Sequence, residues 1–555
     1  MGRSVTSSLV WFIFSLWLSC HGVISQSASG ADHRPNILFL FADDWGRFAG
    51  RYAELNKHQQ YQDLLKTPNF DAIASRGVLF RNAHVNAPSC TPCRSSILSG
   101  QYFWRTGRGA ILQGAVWDPQ IPVWPLALRD AGYHIGKSFK VWSPGTPADA
   151  GFGGQQYSFQ SSGGRINQFS QNLTNLVDGG ATIEAGKVEI LNEVRQNFGS
   201  FLDCTPDGSP FCFWFGPTNV HRKWTRGSGA RLWGLNPDQL AGRMPGFLPD
   251  VPEVREDLAD YFGEVMAFDA AIGVHLEELS RRGLMENTLI IVSGDHGAPG
   301  FPHGKCNLYD FGTGVALAVA GPGVHGCRVV DDFVNLPDLA PTILEAAGLQ
   351  PPDVMTGRTL WPVLRSDREG QVDPERTWVV TGRERHVEMA RAGHLPYPQR
   401  CLRTSQYSYI INFKPERTPL GDLHLMNSDD PPSAEEITET TFVTLPDEDA
   451  GPAKAWFVMN RNNPEWSAMF EKMYGLRPRE ELYHLELDPD ELNNLAGDPA
   501  FEAVRMQMER QLLEELQRTG DPRLVNDGEF FETPPMAGPI PAEAGTPARQ
   551  RRRKN

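Results

Sequence analysis

The stretch 36–44, NILFLFADD, indicates the fold class most clearly. The apolar run from Asn36 to Ala42 contains no charged residue, and Asp43 and Asp44 follow it. An apolar run without alternating polar residues is typical of a strand buried on both faces, as in the middle of a parallel sheet. Three further runs of this kind, each ended by a glycine-containing turn, are 211–215, 288–292 and 315–320.

Segments with helical spacing lie among these runs. Residues 67–76 begin with Thr67 and Pro68, a favourable N-cap and first helical residue. Residues 254–282 keep apolar side chains at helical spacing up to Gly283. Strands that alternate with helices predict an α/β fold with a large, mostly parallel central sheet sandwiched by helices. In such folds the active site lies outside the carboxyl ends of the strands.

The pattern of apolar runs and turns divides the chain into regions. A Pro-Pro step at 351–352 marks the end of the main domain, and later strand-like runs near 378–380 and 407–412, followed by a helical segment, predict a smaller α+β domain. The predicted regions are a signal peptide at 1–25, a main α/β domain with the active site at 33–365, a C-terminal α+β subdomain at 370–520 and a disordered basic tail at 521–555.

Composition and charge exclude several classes of protein. The 555 residues are 40% hydrophobic and 21% charged, which is too apolar for a chain that is disordered throughout. The formal net charge of −15 argues against nucleic-acid binding, because an acidic surface repels phosphate. The tail 549–555 contains five basic residues, so the rest of the chain is more acidic than this total.

The first 25 residues have the pattern of a secretory signal peptide, with an early positive charge and an apolar run at 9–18. That run is too short to cross a bilayer, and no later stretch reaches the ~20 apolar residues that a membrane span needs. We therefore expect an exported protein, periplasmic, secreted or lumenal. In such a compartment Cys204 and Cys212, which flank a TPDGSPF turn, could form a local disulfide.

The segment 90–100, CTPCRSSILSG, carries the sharpest motif. Cys90 and Cys93 form a C-x-x-C pair, a spacing that dithiol redox proteins also use. With Arg94, however, the segment resembles the C-x-P-x-R signature of the type I sulfatases, a family of the alkaline phosphatase superfamily. The segments FADDWG and TPNFDAIASRGVLFRNAHVNAPS resemble the same family. The resemblance implies an alkaline-phosphatase-like fold and the oxidation of Cys90 to formylglycine after synthesis.

Formylglycine chemistry explains why this family does not use a plain hydroxyl. A hydrated aldehyde has two hydroxyls, so that one attacks sulfur and the other, once deprotonated, expels sulfate by rebuilding the C=O bond. The resemblance implies that Arg94 holds the diol at the start of a helix, where the helix N-terminus adds positive charge. It also implies a partner during biosynthesis, the enzyme that generates formylglycine.

Both acidic strand ends resemble the family's metal site. Asp43, Asp44 and Asp295 offer hard carboxylate oxygens suited to Ca²⁺, the expected ion, or to Mg²⁺. His296 stands where most relatives have asparagine and some have histidine. Together with Cys90, these residues are the predicted metal ligands.

Three further residues match catalytic positions of the family. Lys140, in GYHIGKSFKVW, and Lys305, in FPHGKCNLY, resemble the lysines that grip sulfate, and the distance from Gly132 favours Lys140 over Lys137. His221, in GPTNVHRKW, resembles the histidine that faces the leaving-group oxygen, where an imidazole can protonate it near neutral pH. With Arg94, a divalent ion and three carboxylates, the predicted site has a net charge of about +2, so it can bind an anion.

Two residues depart from the family pattern. Cys93 stands where the family usually has serine. Trp142 stands where relatives carry a histidine that assists deprotonation of the formylglycine hydroxyl. The second departure leaves the base for that step unassigned.

Within the family, DHGAPGFPHGKCNLYDFGTG, NVHRK and the block 386–414 resemble the N-sulfoglucosamine sulfohydrolase branch. That resemblance offers substrate-binding candidates in two segments. They are His386, Glu388 and Arg400, with Arg222 in NVHRK. The aromatic residues Trp45, Trp224 and Tyr309 could stack on a sugar face.

The sequence therefore predicts an exported, metal-dependent, formylglycine-type sulfatase that acts on a sulfated carbohydrate, as an O-sulfate or an N-sulfate. Two alternatives remain open at this stage. One is a phosphoryl-ester hydrolase on the same superfamily fold. The other is an inactive carbohydrate-binding relative, suggested by Cys93 and Trp142.

Overall fold

The computed structural model describes residues 34–55, 60–152 and 154–540. The predicted signal peptide at 1–25 and the basic end of the tail at 541–555 lie outside the described residues. The strands are β1 (Asn36–Ala42), β2 (Val78–His84), β3 (His134–Phe139), β4 (Phe211–Gly216), β5 (Thr288–Gly294), β6 (Leu317–Ala320), β7 (Arg328–Asn335), β8 (Trp378–Arg383), β9 (Gln399–Thr404), β10 (Tyr407–Asn412) and β11 (Glu480–His484).

The α-helices range from single turns to α8, which runs for 30 residues. They are α1 (Gly50–Leu55), α2 (Pro68–Arg76), α3 (Cys90–Ser99), α4 (Trp124–Asp130), α5 (Phe169–Asp178), α6 (Ile183–Asp203), α7 (Ser228–Trp233), α8 (Pro252–Arg281), α9 (Asp310–Thr313), α10 (Leu339–Ala346), α11 (Trp361–Leu364), α12 (Ala434–Glu439), α13 (Pro452–Asn460), α14 (Ser467–Tyr474), α15 (Glu502–Arg518) and α16 (Glu529–Glu532). In the described part of the chain, none of these helices is both long and apolar enough to cross a membrane.

The strand β1 lies inside a seven-stranded sheet of order β3-β4-β1-β5-β6-β2-β7. Neighbouring strands pair in parallel except at β6, which is antiparallel to both β5 and β2. Ala42 at the end of β1 lies opposite Gly294 at the end of β5. This register brings Asp43, Asp44 and Asp295 to the same edge of the sheet.

The sheet separates two hydrophobic cores. Leu38 and Leu40 of β1 are fully buried in the core that α8 covers. Phe39 and Phe41, which point to the other face, are fully buried in the core that contains residues of α3, α4 and α10. Helices thus cover both faces of a mostly parallel sheet, which confirms the predicted architecture.

The apolar runs predicted strand positions well and strand direction poorly. The runs at 36–42, 211–215 and 288–292 are the strands β1, β4 and β5. The run at 315–320 forms only the short strand β6, which is antiparallel, because an apolar run carries no information about direction. The strands β2, β3 and β7 contain charged residues such as Arg81, Lys137 and Asp331, so they lack the continuous apolar pattern.

The C-terminal region forms a four-stranded antiparallel sheet of order β11-β10-β9-β8. Leu512 and Leu516 of α15 share a buried core with Val380 of β8 and Leu402 of β9. This arrangement confirms the smaller C-terminal α+β part of the predicted fold class.

The disordered tail was predicted to begin too early. Asp521 and Arg523 are buried, and Phe531 of α16 lies in the core of the C-terminal region. Asp521 accepts hydrogen bonds of 2.6 and 3.0 Å from the guanidinium of Arg400. The described chain is therefore folded here, because buried ion pairs hold a segment that lacks apolar periodicity.

The predicted disulfide between Cys204 and Cys212 is absent from the structure, in which every described cysteine is free. Cys212 lies within β4, fully buried and opposite Ile37 of β1. Cys204 is exposed at the end of α6. The strand therefore places one thiol inside the sheet sandwich while the other faces solvent.

Glu264 of α8 leads to a prediction about stability and pH. It accepts hydrogen bonds from the Ser170 amide at 3.2 Å and from Asn219 Nδ2 at 3.1 Å, and burial raises its pKa from 4.5 to about 7. Because the folded state binds this proton more tightly than the unfolded chain, the contribution to stability is complete below about pH 4.5 and is lost as the pH rises through about 7.

Glu264→Gln keeps the shape of the side chain and removes its titration. We expect it to reduce the pH dependence of the free energy of unfolding by up to about 3 kcal/mol. Urea unfolding of the variant and the wild type on both sides of this window checks the prediction. A stability difference between the two proteins that is equal at low and high pH would contradict it.

Candidate active site

Cys90 is the first residue of α3, which follows β2 at the carboxyl edge of the sheet. Only 2% of Cys90 is exposed, and every residue of α3 is buried. Its Sγ lies 3.4 Å from His296 Nε2 and 3.7 Å from Asp44 Oδ1. The signature cysteine thus lies next to the acidic strand ends.

The strand ends form a compact, buried group of ligand atoms. Asp44 has a left-handed φ of 56°, and its amide donates to Asp295 Oδ1 at 2.7 Å, which turns the chain after β1 into the site. His296 Nε2 lies 3.1 Å from Asp44 Oδ1 and 3.6 Å from Asp295 Oδ1. Ligand atoms of Asp44, Cys90, Asp295 and His296 all lie within 4.8 Å of one another.

This donor set fits a divalent cation. Asp44 and Asp295 are completely buried, so the two carboxylates need a positive charge between them. Oxygen ligands suit Ca²⁺ and Mg²⁺, and one imidazole nitrogen also suits other divalent ions. Asp43 belongs to a second group of possible ligands, with Asp44 and His221, and its carboxylate also lies against the cationic side chains of Arg94 and Lys140.

Arg94 is the cation that joins two of these carboxylates. Its Nε donates to Asp295 Oδ2 at 2.8 Å and its Nη2 donates to Asp43 Oδ1 at 3.0 Å. Its Nη1 donates to the carbonyl groups of Lys140 and Val141. The guanidinium is fully buried, so Arg94 stabilises the two buried carboxylates from the interior of the protein.

Lys140 and Lys305 bring two more positive charges to the site. Lys140 Nζ lies 2.7 and 2.8 Å from the two carboxylate oxygens of Asp43, whereas Lys137 pairs with Asp149 outside this group. Burial alone would raise the pKa of Asp43, but attraction to Lys140 and then to Arg94 lowers it well below its usual value. Lys305 Nζ contacts Asp44 Oδ2 at 3.1 Å.

His221 is the most exposed side chain among the charged and ionisable groups around Asp44, at 33%. Its Nε2 lies 3.9 Å from Asp44 Oδ2, and its Nδ1 lies 2.5 Å from the carbonyl oxygen of Arg222. Since a carbonyl oxygen only accepts hydrogen bonds, Nδ1 carries the proton and Nε2 is the free acceptor when the ring is neutral. His221 therefore presents a basic nitrogen towards the site.

The two departures from the family pattern are both buried. Trp142 donates from Nε1 to Ser95 Oγ at 2.8 Å and packs edge-on against Trp117, so it supplies no base. Cys93 is fully buried, and burial raises the pKa of both Cys90 and Cys93 well above the usual value. Because dithiol redox sites depend on a lowered thiol pKa, this environment disfavours the redox interpretation.

The structure brings only some of the predicted sugar-binding residues to this site. His386 Nδ1 lies 2.8 Å from Oγ of Ser89, the residue before Cys90. Glu388 pairs with His394 at 2.7 Å and is largely buried. Arg222 instead makes two 2.8 Å hydrogen bonds to Asp257.

Arg400 and the predicted stacking aromatics also have structural partners. Arg400 is fully buried between Glu384 and Asp521, and its nitrogens are occupied by these carboxylates and by backbone carbonyl groups. Trp45 lies in the main core, and Tyr309 stacks on His303 with a 3.9 Å centroid separation. The guanidinium of Arg222 covers the ring of Trp224 at 4.1 Å.

Sequence reasoning missed Asp449. It lies at the end of the acidic segment 428–449, and its Oδ2 is 3.0 Å from Lys305 Nζ. The segment is rich in acidic residues, and no motif distinguishes its last carboxylate. Only the tertiary fold brings it to the site, 144 positions after Lys305.

Comparisons with known proteins agree with this geometry. The profile of the family described as Sulfatase matches residues 35–349, more than half of the chain. The chain is 29% identical over 527 residues to the N-sulphoglucosamine sulphohydrolase of Homo sapiens, which covers 88% of this chain and 91% of that protein.

Two solved structures share the fold. A Bacteroides thetaiotaomicron protein, described in work on the metabolism of multiple glycosaminoglycans, has a TM-score of 0.62 and 18% identity over 90% of this chain and 100% of its own. A phosphonate monoester hydrolase of Agrobacterium radiobacter has a TM-score of 0.58 and 20% identity over 88% of this chain and 97% of its own. These two likenesses show the fold of the chain. The chain belongs to the sulfatase family and is a sulfuric ester hydrolase by class.

Proposed function

We propose that this protein is an exported sulfatase that carries formylglycine at position 90, binds a divalent metal ion and removes sulfate from a sulfated carbohydrate. The observation that supports the proposal best is the position of Cys90. Its Sγ faces Asp44 and His296 at the carboxyl edge of the sheet, within the group of potential metal ligands.

The residues around Cys90 suit the cleavage of a sulfate ester. Formylglycine would supply a geminal diol as the nucleophile, and a metal ion held by Asp44, Asp295 and His296 would supply positive charge beside it. Lys140 and Lys305 place ammonium groups beside the carboxylates, where they can bind sulfate oxygens. The Nε2 atom of His221 is available for proton exchange with the leaving group.

The bond that is cut is part of the proposal. The similarity to a protein named N-sulphoglucosamine sulphohydrolase favours a sulfated amino sugar, with the sulfate on nitrogen. A panel of sulfated glycans with and without N-sulfate, compared with aryl sulfate and aryl phosphate, tests it. We expect turnover of sulfated sugars with a preference for N-sulfate. A strong preference for phosphate would favour a phosphoryl-ester hydrolase, and sugar binding without any turnover would favour an inactive relative.

Metal binding leads to a prediction about thermal stability. Adding Ca²⁺ to protein treated with a chelator is expected to raise the melting temperature, because the ion binds the folded carboxylates and not the unfolded chain. At a concentration about 100 times the Kd, the stabilisation is about 2.7 kcal/mol. Mg²⁺ tested in parallel shows which ion the site prefers.

Asp295→Asn is the matched test of this prediction, because it keeps the size of the side chain and removes one carboxylate. The variant is expected to lose most of the Ca²⁺-dependent shift. An equal shift in the variant and the wild type would place the ion elsewhere.

A further inference from the structure

Asp449 lies next to Lys305 at the candidate active site. Its carboxylate contacts Lys305 Nζ at 3.0 Å, and the same ammonium contacts Asp44 at 3.1 Å. The side chain of Asp449 is 13% exposed, compared with 3% for Lys305 and 33% for His221. Asp449 is therefore more accessible than Lys305, and a sulfate bound by the Lys305 ammonium would lie near its carboxylate.

The segment before Asp449 is held firmly. Asp447 is fully buried and accepts hydrogen bonds from Arg383 at 2.6 Å and from Arg391 at 2.8 Å. Lys454, which is also fully buried, donates to two backbone carbonyl groups of the same segment at 3.0 and 2.7 Å. These buried charges fix the backbone that leads up to Asp449, so its carboxylate is preorganised.

The environment of Asp449 also keeps it negatively charged. Burial alone would raise its pKa, but attraction to Lys305, and then to His221 and His386, lowers the pKa below the usual value. An ionised carboxylate only accepts hydrogen bonds, and it repels other anions. A fixed negative charge beside a sulfate-binding lysine can therefore discriminate between substrates.

We propose that Asp449 is a specificity-determining residue: it accepts a hydrogen bond from a hydroxyl or ammonium group of the sugar next to the sulfate that is removed, and it excludes sugars with a second anionic group there. The proposal rests on the proposed sulfatase function. Such a residue combines an attractive contact with one substrate and a repulsive contact with its competitor.

A purely structural role for Asp449 predicts a different outcome. If the carboxylate only neutralised Lys305, its removal would change the interaction of Lys305 with every sulfate, and all substrates would respond alike. Lys305 keeps its contact with Asp44 in either case. The ratio of kcat/KM between two substrates cancels any such uniform effect, so this ratio reports on the direct contact.

The test uses Asp449→Asn, which removes the charge and keeps the shape, and Asp449→Glu, which keeps the charge. Asp430→Asn is the matched control, because it removes an exposed charge from the same acidic segment. Each protein is assayed on monosulfated glucosamines and on the same sugars with a second sulfate at a neighbouring position. Thermal unfolding shows which variants are folded.

We expect Asp449→Asn to shift the kcat/KM ratio towards disulfated sugars by roughly tenfold, and Asp449→Glu and Asp430→Asn to keep the wild-type ratio. An unchanged ratio in Asp449→Asn, or an equal shift in Asp430→Asn, would overturn the assignment while leaving the sulfatase function intact. A wild type that releases sulfate from none of these sugars would overturn both. If Asp449→Asn does not fold, a lost preference for monosulfated sugars in Asp449→Glu would equally overturn the assignment.

Discussion

Cys90→Ala is expected to lower the rate of sulfate release by roughly a thousandfold or more, the scale seen when a catalytic nucleophile is removed. The substitution removes the nucleophile, and no other side chain can take its position. Cys90 begins the buried helix α3, with its Sγ 3.4 Å from His296 Nε2, so a replacement elsewhere in the chain cannot supply the same group. Steady-state kinetics on an aryl sulfate measure the loss.

Cys93→Ser is the matched control for this substitution. The side chain lies in the same helix and is equally buried, and the sulfatase family usually has serine at this position. We expect it to retain activity. A Cys90→Ala protein that is as active as the wild type would rule out a nucleophile at position 90, and the loss of activity in Cys93→Ser alone would revive the dithiol interpretation.

Arg94→Ala is expected to reduce the free energy of unfolding by about 3–5 kcal/mol, because it leaves buried carboxylates without their partner. Arg94 donates to Asp295 at 2.8 Å and to Asp43 at 3.0 Å, and all three side chains are at most 1% exposed. Chemical denaturation of protein without added metal measures the effect, and added Ca²⁺ should recover part of the lost stability.

Arg76→Ala is the control for that measurement. Arg76 also pairs with a carboxylate, Glu286, at 2.9 Å, but both side chains are largely exposed. Exposed ion pairs contribute little to stability, so this variant should unfold close to the wild type. Equal destabilisation by Arg76→Ala and Arg94→Ala would contradict the role assigned to the buried pair.

The sequence was most informative where local pattern determines position. Asp43 and Asp44 end one apolar run and Asp295 follows another, and parallel strands bring their carboxyl ends to one edge. The signature at Cys90 follows β2, a strand that the pattern missed, yet it reaches the same edge because the helix after a strand begins there.

The sequence was least informative where tertiary packing decides the partner of a side chain. Arg222 and Arg400 are substrate-binding candidates in the sequence, but Asp257, Glu384 and Asp521 occupy their guanidinium groups. Asp449 is the opposite case, a residue that the sequence does not mark as functional but that lies in the site. It belongs to an acidic segment without a motif, and its carboxylate contacts Lys305. Such pairings depend on contacts between distant parts of the chain, which no local pattern encodes.

Asp449 also changes the charge expected at the site. With a divalent ion, the three predicted carboxylates and three cations leave about +2, and the additional carboxylate reduces this to about +1. The site still attracts one sulfate within an acidic protein. The smaller positive charge is consistent with a preference for substrates that carry a single sulfate near the reacting position.

Mass spectrometry of the tryptic peptide 82–94, NAHVNAPSCTPCR, determines whether residue 90 is formylglycine. The protein should come from a host able to mature sulfatases. We predict an aldehyde or its hydrate at position 90 and an unmodified thiol at Cys93, in protein that releases sulfate. An unmodified cysteine at position 90, in protein that releases sulfate from no substrate, would contradict the account.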